Sequence, residues 1–253
     1  MNNIIAIAQK ELRSYFSSPI AYIIIGFFAL PFGVFFYLYL DAFVRQGLQS
    51  AQFGTPMNIN QQVIRYVLQN ASVIILFVMP MITMRTYSEE KRSGTIELLL
   101  TSPISDMEII LGKFFGALGL YVAMLVVTML YVAILFVYGN PEWRPLVAAY
   151  LGLLLMGGAF ISIGLFISST TNNQIVAGII SFIVFLMLWI VGWFADTAGP
   201  MVGGIARYMS ITEHFDDFSK GIIDTQHVIY YLSLITFGLF LAAKSVDSER
   251  WRG

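Results

Sequence analysis

The chain has 253 residues, 58% of them hydrophobic and 11% charged, with mean hydropathy +0.77 and a formal net charge of -1. Soluble domains are about half apolar and about a quarter charged, so this composition reads as an all-α integral membrane protein, with gaps between apolar stretches too short for a separate soluble domain. The near-neutral charge gives no footing to a nucleic-acid partner, and the absence of cysteine excludes disulfides, thiolate metal sites and cysteine nucleophiles.

Residues 1–19 place Ile4, Ala8, Leu12 and Tyr15/Phe16 at steps of three to four, with Gln9, Lys10, Arg13 and Ser14 between them. That spacing predicts an amphipathic helix on the membrane surface. It does not read as a cleavable signal: Lys10, Glu11 and Arg13 are charged, the next apolar run is long enough to span, and no A-x-A site follows. Ser18-Pro19 breaks the direction, and 20–40 makes a first uncharged span, matching a hydrocarbon core of roughly 30 Å. The polar stretch 41–65 is expected to be an external loop. A second span occupies 66–84, with Pro80 near its inner end.

The densest run of charge follows, over 85–113. Gly94 can end the incoming helix, and Pro103 can end a short one over 95–101 that carries Ile96, Leu99 and Leu100 on one face and Glu97 on the other. Ser105 and Glu108 have capping-box spacing, so a helix restarts there and continues into a third span at 114–138. Gly112 and Gly116 form a G-x-x-x-G at its foot, which permits close packing. A tight turn over 140–145 leads to a fourth span at 146–167, and the short polar link 168–174 to a fifth at 175–194. Residues 196–227 are too polar to span but keep helical spacing, which predicts two short amphipathic or re-entrant helices at the outer interface. The last span is 228–243.

Six spans put both ends of this sequence on one side. That side carries Lys10, Arg13, Arg85, Lys91, Arg92, Lys113, Lys244, Arg250 and Arg252, nine cations against five opposite (Arg45, Arg65, Arg144, Arg207, Lys220), which makes it cytoplasmic by the positive-inside rule.

None of the six spans so drawn contains Asp, Glu, Lys, Arg or His, the groups that ion-coupled transporters and proton pumps use near the midplane. No phosphate-binding loop is present either, since Gly112-Lys113 is followed by Phe114. Energy for uphill work would have to come from another subunit, and 85–113 offers a place for it to dock as a short rigid lever. The alternative, a solvated loop on a self-contained channel or facilitator, stays open. Glu213, His214, Asp216, Asp217 and His227 are the one cluster that resembles a metal or acid/base site, but they match none of the H-E-x-x-H type patterns; an intramembrane metalloenzyme using His214 is the third reading. No catalytic motif is found, so the chain is not expected to be an enzyme.

Lys10-Glu11-Leu12-Arg13 with Ser17-Ser18-Pro19, and then Glu89-Glu90-Lys91-Arg92-Ser93-Gly94-Thr95-Ile96-Glu97-Leu98-Leu99-Leu100 with Pro103, resemble the permease subunits of ABC-2 type transporters. KELRSYFSSPIAYI and EHFDDFSKGIIDTQHVIYYLSL are most similar to the gliding-motility-associated branch of those permeases. The resemblance implies an N-terminal interfacial elbow helix, six spans in one domain over 1–253, a cytoplasmic coupling helix, and outer helices before the last span. It implies an ATPase contact built from Lys10, Glu11, Arg13, Glu89, Glu90, Lys91, Arg92, Gly94, Thr95, Glu97, Leu98, Leu99 and Pro103. A second contact would use Thr170, Thr171, Asn172 and Asn173, and an external gate Glu213, His214, Phe215 and Phe218. The implied partners are ABC ATPase subunits carrying ATP and Mg, a second permease copy or paralogue, a companion with a large periplasmic domain, and the lipid of a bacterial inner membrane. No cofactor is implied for the chain itself.

Overall fold

The computed structural model describes residues 2–50, 58–95, 104–195 and 197–250. It is 88% helical with no strand among the described residues, and six of its helices are long and apolar enough to cross a membrane, so the protein is an all-α integral membrane protein. In chain order the helices are α1 (Asn2–Ser17), α2 (Pro19–Ser50), α3 (Arg65–Thr83), the short α4 (Ser88–Arg92), α5 (Asp106–Tyr138), α6 (Trp143–Ser169), α7 (Gln174–Ile190), α8 (Gly199–Met209), α9 (Ile211–Ser219) and α10 (Thr225–Arg250). A single π-helical turn, Asn60–Ile64, leads into α3, and a 3-10 turn, Val191–Phe194, ends α7.

The helices outrun the apolar stretches that predict them. α2 continues ten residues past 40, where Arg45 Nε reaches Asp41 Oδ2 at 2.8 Å one turn away, so 41–50 is helix and not loop. Backbone hydrogen bonding does not stop where hydropathy stops, and polar side chains at i and i+4 carry a helix into water. α5 likewise starts eight residues before 114, at the capping box: Ser105 Oγ accepts from the Glu108 N–H at 3.3 Å, and the Glu108 carboxylate accepts from the Ser105 N–H at 3.1 Å.

α6 is the central post, in contact with α3, α5, α7, α9 and α10. Its inward residues Leu153, Met156, Ala159, Phe160, Ile161 and Leu165 are all buried. Several polar groups at this depth are satisfied locally: Tyr121 donates to the Leu153 carbonyl at 2.7 Å, and the Thr128 and Tyr150 hydroxyls are 3.0 Å apart. Without water in the hydrocarbon core, such groups need protein partners. α7 and α10 instead turn apolar side chains outward, among them Ile175, Ile179, Ile183, Met187, Phe237 and Phe240, as helices facing lipid do.

The spacing predicts an amphipathic helix over 1–19, and α1 forms there; it runs parallel to the first half of α5 and is seated on it. A Cβ at Gly112 would stand 2.6 Å from Ile7 side-chain atoms, one at Gly116 2.6 Å from Glu11 Cβ, and one at Gly119 3.0 Å from Leu12. The G-x-x-x-G at the foot of α5 is thus a trough for α1, within one subunit.

Candidate functional site

At the end of the bundle that holds the starts of α1, α5 and α7, one buried cation collects three elements. Lys113 is 1% exposed, and its ammonium lies 3.1 Å from Glu11 Oε1 on α1 and 2.8 Å from Glu90 Oε2 on α4. It also donates to the Thr86 carbonyl at 2.8 Å and sits 4.9 Å from the centroid of the Tyr87 ring. A lysine this deep is sustained only by such a set of anionic and carbonyl partners. Its place in the sequence, one turn inside an apolar run, is the signal that could have singled it out.

α4 is held from a second side by the end of α6. Ser168 Oγ accepts the backbone N–H groups of Tyr87 at 3.1 Å and Ser88 at 3.2 Å, meeting donors that the first turn of α4 cannot satisfy itself, and donates to the Met84 carbonyl at 3.2 Å. Lys91 Nζ donates to the Ser169 carbonyl. After Arg92 the chain leaves the helix through Gly94, whose φ of +71° is a conformation that disfavours side chains with a Cβ.

The residues singled out for an ATPase contact therefore divide. Glu11 and Glu90 are turned inward to Lys113, with side chains 14% and 16% exposed, and Lys91 is engaged with α6. Lys10, Arg13, Glu89, Arg92, Gly94 and Thr95 are exposed, as are Thr170, Asn172 and Asn173 of the link between α6 and α7, with Thr171 half-buried. Lys10 Nζ stands 3.5 Å from Glu90 Oε1, and Arg85 holds Glu89 at 3.0 Å. A cleft of about 170 Å³ opens between α1 and the α3–α4 corner, lined by Lys10, Glu11, Tyr15, Arg85, Glu89 and Glu90. A second, shallower one is lined by Arg92 and residues 171–175, which brings the two expected contacts side by side. Glu97, Leu98, Leu99 and Pro103, and all of the expected 95–101 helix except Thr95, lie outside the described residues.

The opposite end is closed by α8 and α9. Ser210 caps α9 by accepting the Glu213 N–H at 3.4 Å. Of the expected gate residues, His214, Phe215 and Phe218 are buried on one face of α9 while Glu213 is exposed on the other. Phe218 fits because α6 carries Gly152 opposite it, where a Cβ would stand 2.6 Å from Phe218 Cβ. Asp216 accepts from Arg65 at 3.1 Å and from Gln69 at 2.9 Å, tying α9 to α3.

α9 is tied to the head of α10 by imidazoles. His214 Nδ1 and His227 Nδ1 are 2.7 Å apart, His214 Nε2 is 3.0 Å from the Tyr208 carbonyl, and His227 Nε2 is 2.9 Å from Asp217 Oδ2. Tyr230 stacks on His214 with ring centroids 3.7 Å apart. Burial, with a smaller contribution from His227, holds His214 below its ordinary value, against the Tyr208 carbonyl, which raises it. Hydrogen bonds from His227 and Lys220 hold Asp217 low, and bonds to Asp216 and Asp217 hold Lys220 high. No group of three or more His, Cys, Asp or Glu among the described residues is arranged to hold a metal ion, and the two Nδ1 atoms face each other.

No curated protein matches the chain. Residues 5–244 match a family model described as ABC-2 family transporter protein.

Proposed function

From the premise that the chain belongs to the ABC-2 transporter family, we propose that it is the permease subunit through which a separate ABC ATPase, binding ATP and Mg, drives export or mechanical work on the cell envelope. Membership across 5–244 makes it a component of membrane transport, and six apolar helices make it multi-pass. The finer reading is a bacterial inner-membrane protein with both ends of the described chain cytoplasmic, paired with a second permease copy or paralogue. The similarity of the first and last motifs to gliding-motility permeases adds a companion with a large periplasmic domain.

The observation that carries the coupling role is the Lys113 knot. α4 emerges beside exposed Glu89 and Arg92, and its inner face is joined through one ammonium to α1 and α5 and through Ser168 to α6. A push on α4 reaches three helices at once. The partner's surface would be read by Lys10, Arg13, Glu89, Arg92, Thr95 and residues 170–173, while Glu11 and Glu90 hold the lever to the bundle. Reconstitution of the full chain with a candidate ABC ATPase in nanodiscs tests this. Charge reversal at both Glu89 and Arg92 is expected to abolish retention of the ATPase. If no nucleotide-binding subunit is retained by the unaltered chain, or if the reversed chain still retains it and supports its activity, the reading fails.

A further inference from the structure

His214 and His227 are the two histidines in the sequence, and their contacts fix the number of protons they hold. A carbonyl oxygen can only accept, so His214 Nε2 carries a proton toward Tyr208. An ionised carboxylate can only accept, so His227 Nε2 carries a proton toward Asp217. The 2.7 Å contact between the two Nδ1 atoms needs one proton between two lone pairs. The pair therefore closes all three bonds with three protons. One ring of the pair is then neutral and accepts at Nδ1, and the other is an imidazolium that donates there.

We propose that His214 and His227 form a proton-binding site whose three-proton state latches α9, the outer cap, to the head of the last span, and that the latch loosens when the pair loses that proton or gains a fourth. With two protons, one contact must face lone pair to lone pair, or lone pair to carboxylate. With four, two N–H groups point at each other across 2.7 Å. The charged groups around the pair are these. On α9 and just after it, Asp217 faces His227 through one oxygen and holds Lys220 at 3.1 Å through the other, while Asp216 is occupied by Arg65 of α3 and by Lys220. Glu213 lies on the far side of α9. From α8 come the Tyr208 ring and carbonyl, with Arg207 in the same turn, and from α10 the rings of Tyr230 and Tyr231. α7 contains no charged residue, and α6 contains Arg144 alone, whose guanidinium lies over Trp143.

The acid arm has a definite sign. A histidine held below 6.5 in the folded protein binds its extra proton more readily when released, so the stability it confers is present above 6.5 and is lost as pH falls. The alkaline arm is the loss of the proton shared across the Nδ1–Nδ1 contact, and the two steps belong to the pair rather than to either ring. The latch needs no ATPase, and its failure would leave the permease reading standing.

Histidine labelling of the full chain in nanodiscs gives two ring signals and no others, so nitrogen shifts report each ring directly. Near neutral pH, one ring should show the Nε2–H neutral tautomer and the other both nitrogens protonated, with each shifting when the other titrates. Hydrogen exchange of α9, corrected for intrinsic pH dependence, should be slowest in that window and at least about tenfold faster on either side, the weight of one charge-assisted hydrogen bond. His227→Gln and Asp217→Asn should each flatten that profile. Two rings that titrate independently in the unaltered chain, or α9 protection that keeps its pH profile in both variants, would overturn the proposal.

Discussion

The two ends of this bundle are fastened by different chemistry. At the end bearing α4 the fastener is an ammonium between two carboxylates, 1% exposed, over a trough that needs glycine. At the other end it is two imidazoles and a carboxylate at the rim of a short helix, with Asp217 and Lys220 each more than a third exposed. Amine and carboxylate side chains generally hold their charge through the neutral range, while imidazole changes its own there. One end is suited to carrying force without yielding, and the other to yielding when conditions change.

The largest effect that would break this contrast is at Lys113. Lys113→Met leaves Glu11 and Glu90 facing each other with little water, and should cost on the order of 3 to 5 kcal/mol of stability in denaturant titration, with α1 becoming open to proteolysis. Adding Glu11→Gln and Glu90→Gln should recover most of that loss; failure to recover would mean the ion knot is not what holds α1. Next comes Gly116→Leu, which should drive α1 from its trough at about 1 to 3 kcal/mol, seen as faster hydrogen exchange across 2–17 with α9 unaffected. Ser105→Ala removes the cap of α5 and should cost about 1 kcal/mol. Smallest is Glu89→Gln, whose exposed pair with Arg85 is worth under about 0.5 kcal/mol, so a normal melting temperature with weakened ATPase retention would separate contact from stability. Across all of these, α1 and α4 exchange should stay flat over the pH range in which α9 exchange moves, and a parallel response at both ends would dissolve the comparison.

Much of the fold was legible in the sequence. Uncharged apolar runs of spanning length gave all six spans, and Ser105 with Glu108 gave a helix start that the structure reproduces, because both signals are local. What escaped needed partners distant in the chain. The continuation of α2 to Ser50 rests on polar helix that hydropathy does not register. The inward turn of Glu11 and Glu90 was invisible because their partner is Lys113, and no local pattern distinguishes a carboxylate aimed at solvent from one aimed at a buried amine. The resemblance puts Glu213, His214, Phe215 and Phe218 together in an outer gate, and a helix of 100° per residue turns Glu213 to the face opposite the other three. His227 is grouped with His214 in the sequence as a candidate metal or acid/base cluster, but their direct Nδ1–Nδ1 contact at 2.7 Å depends on how α9 meets α10, which spacing does not give.

The seat of α1 has a consequence for how the protein is made. Asn3 Nδ2 meets Glu108 Oε1 at 3.2 Å across 105 residues of chain, and the rest of the trough lies beyond Glu108. At a synthesis rate of roughly 5 to 20 residues per second, α1 exists for roughly 5 to 20 seconds before its seat does. We infer that during this interval its apolar side rests against lipid, so the amphipathic pattern serves the bilayer surface first and α5 afterwards. Paired cysteines at positions 3 and 108, placed in nascent chains arrested at increasing lengths, should crosslink only once α5 has cleared the ribosome and its insertion machinery; crosslinking as soon as residue 108 is made would contradict this. α1 thereby waits for a seat that lies more than a hundred residues further along the chain.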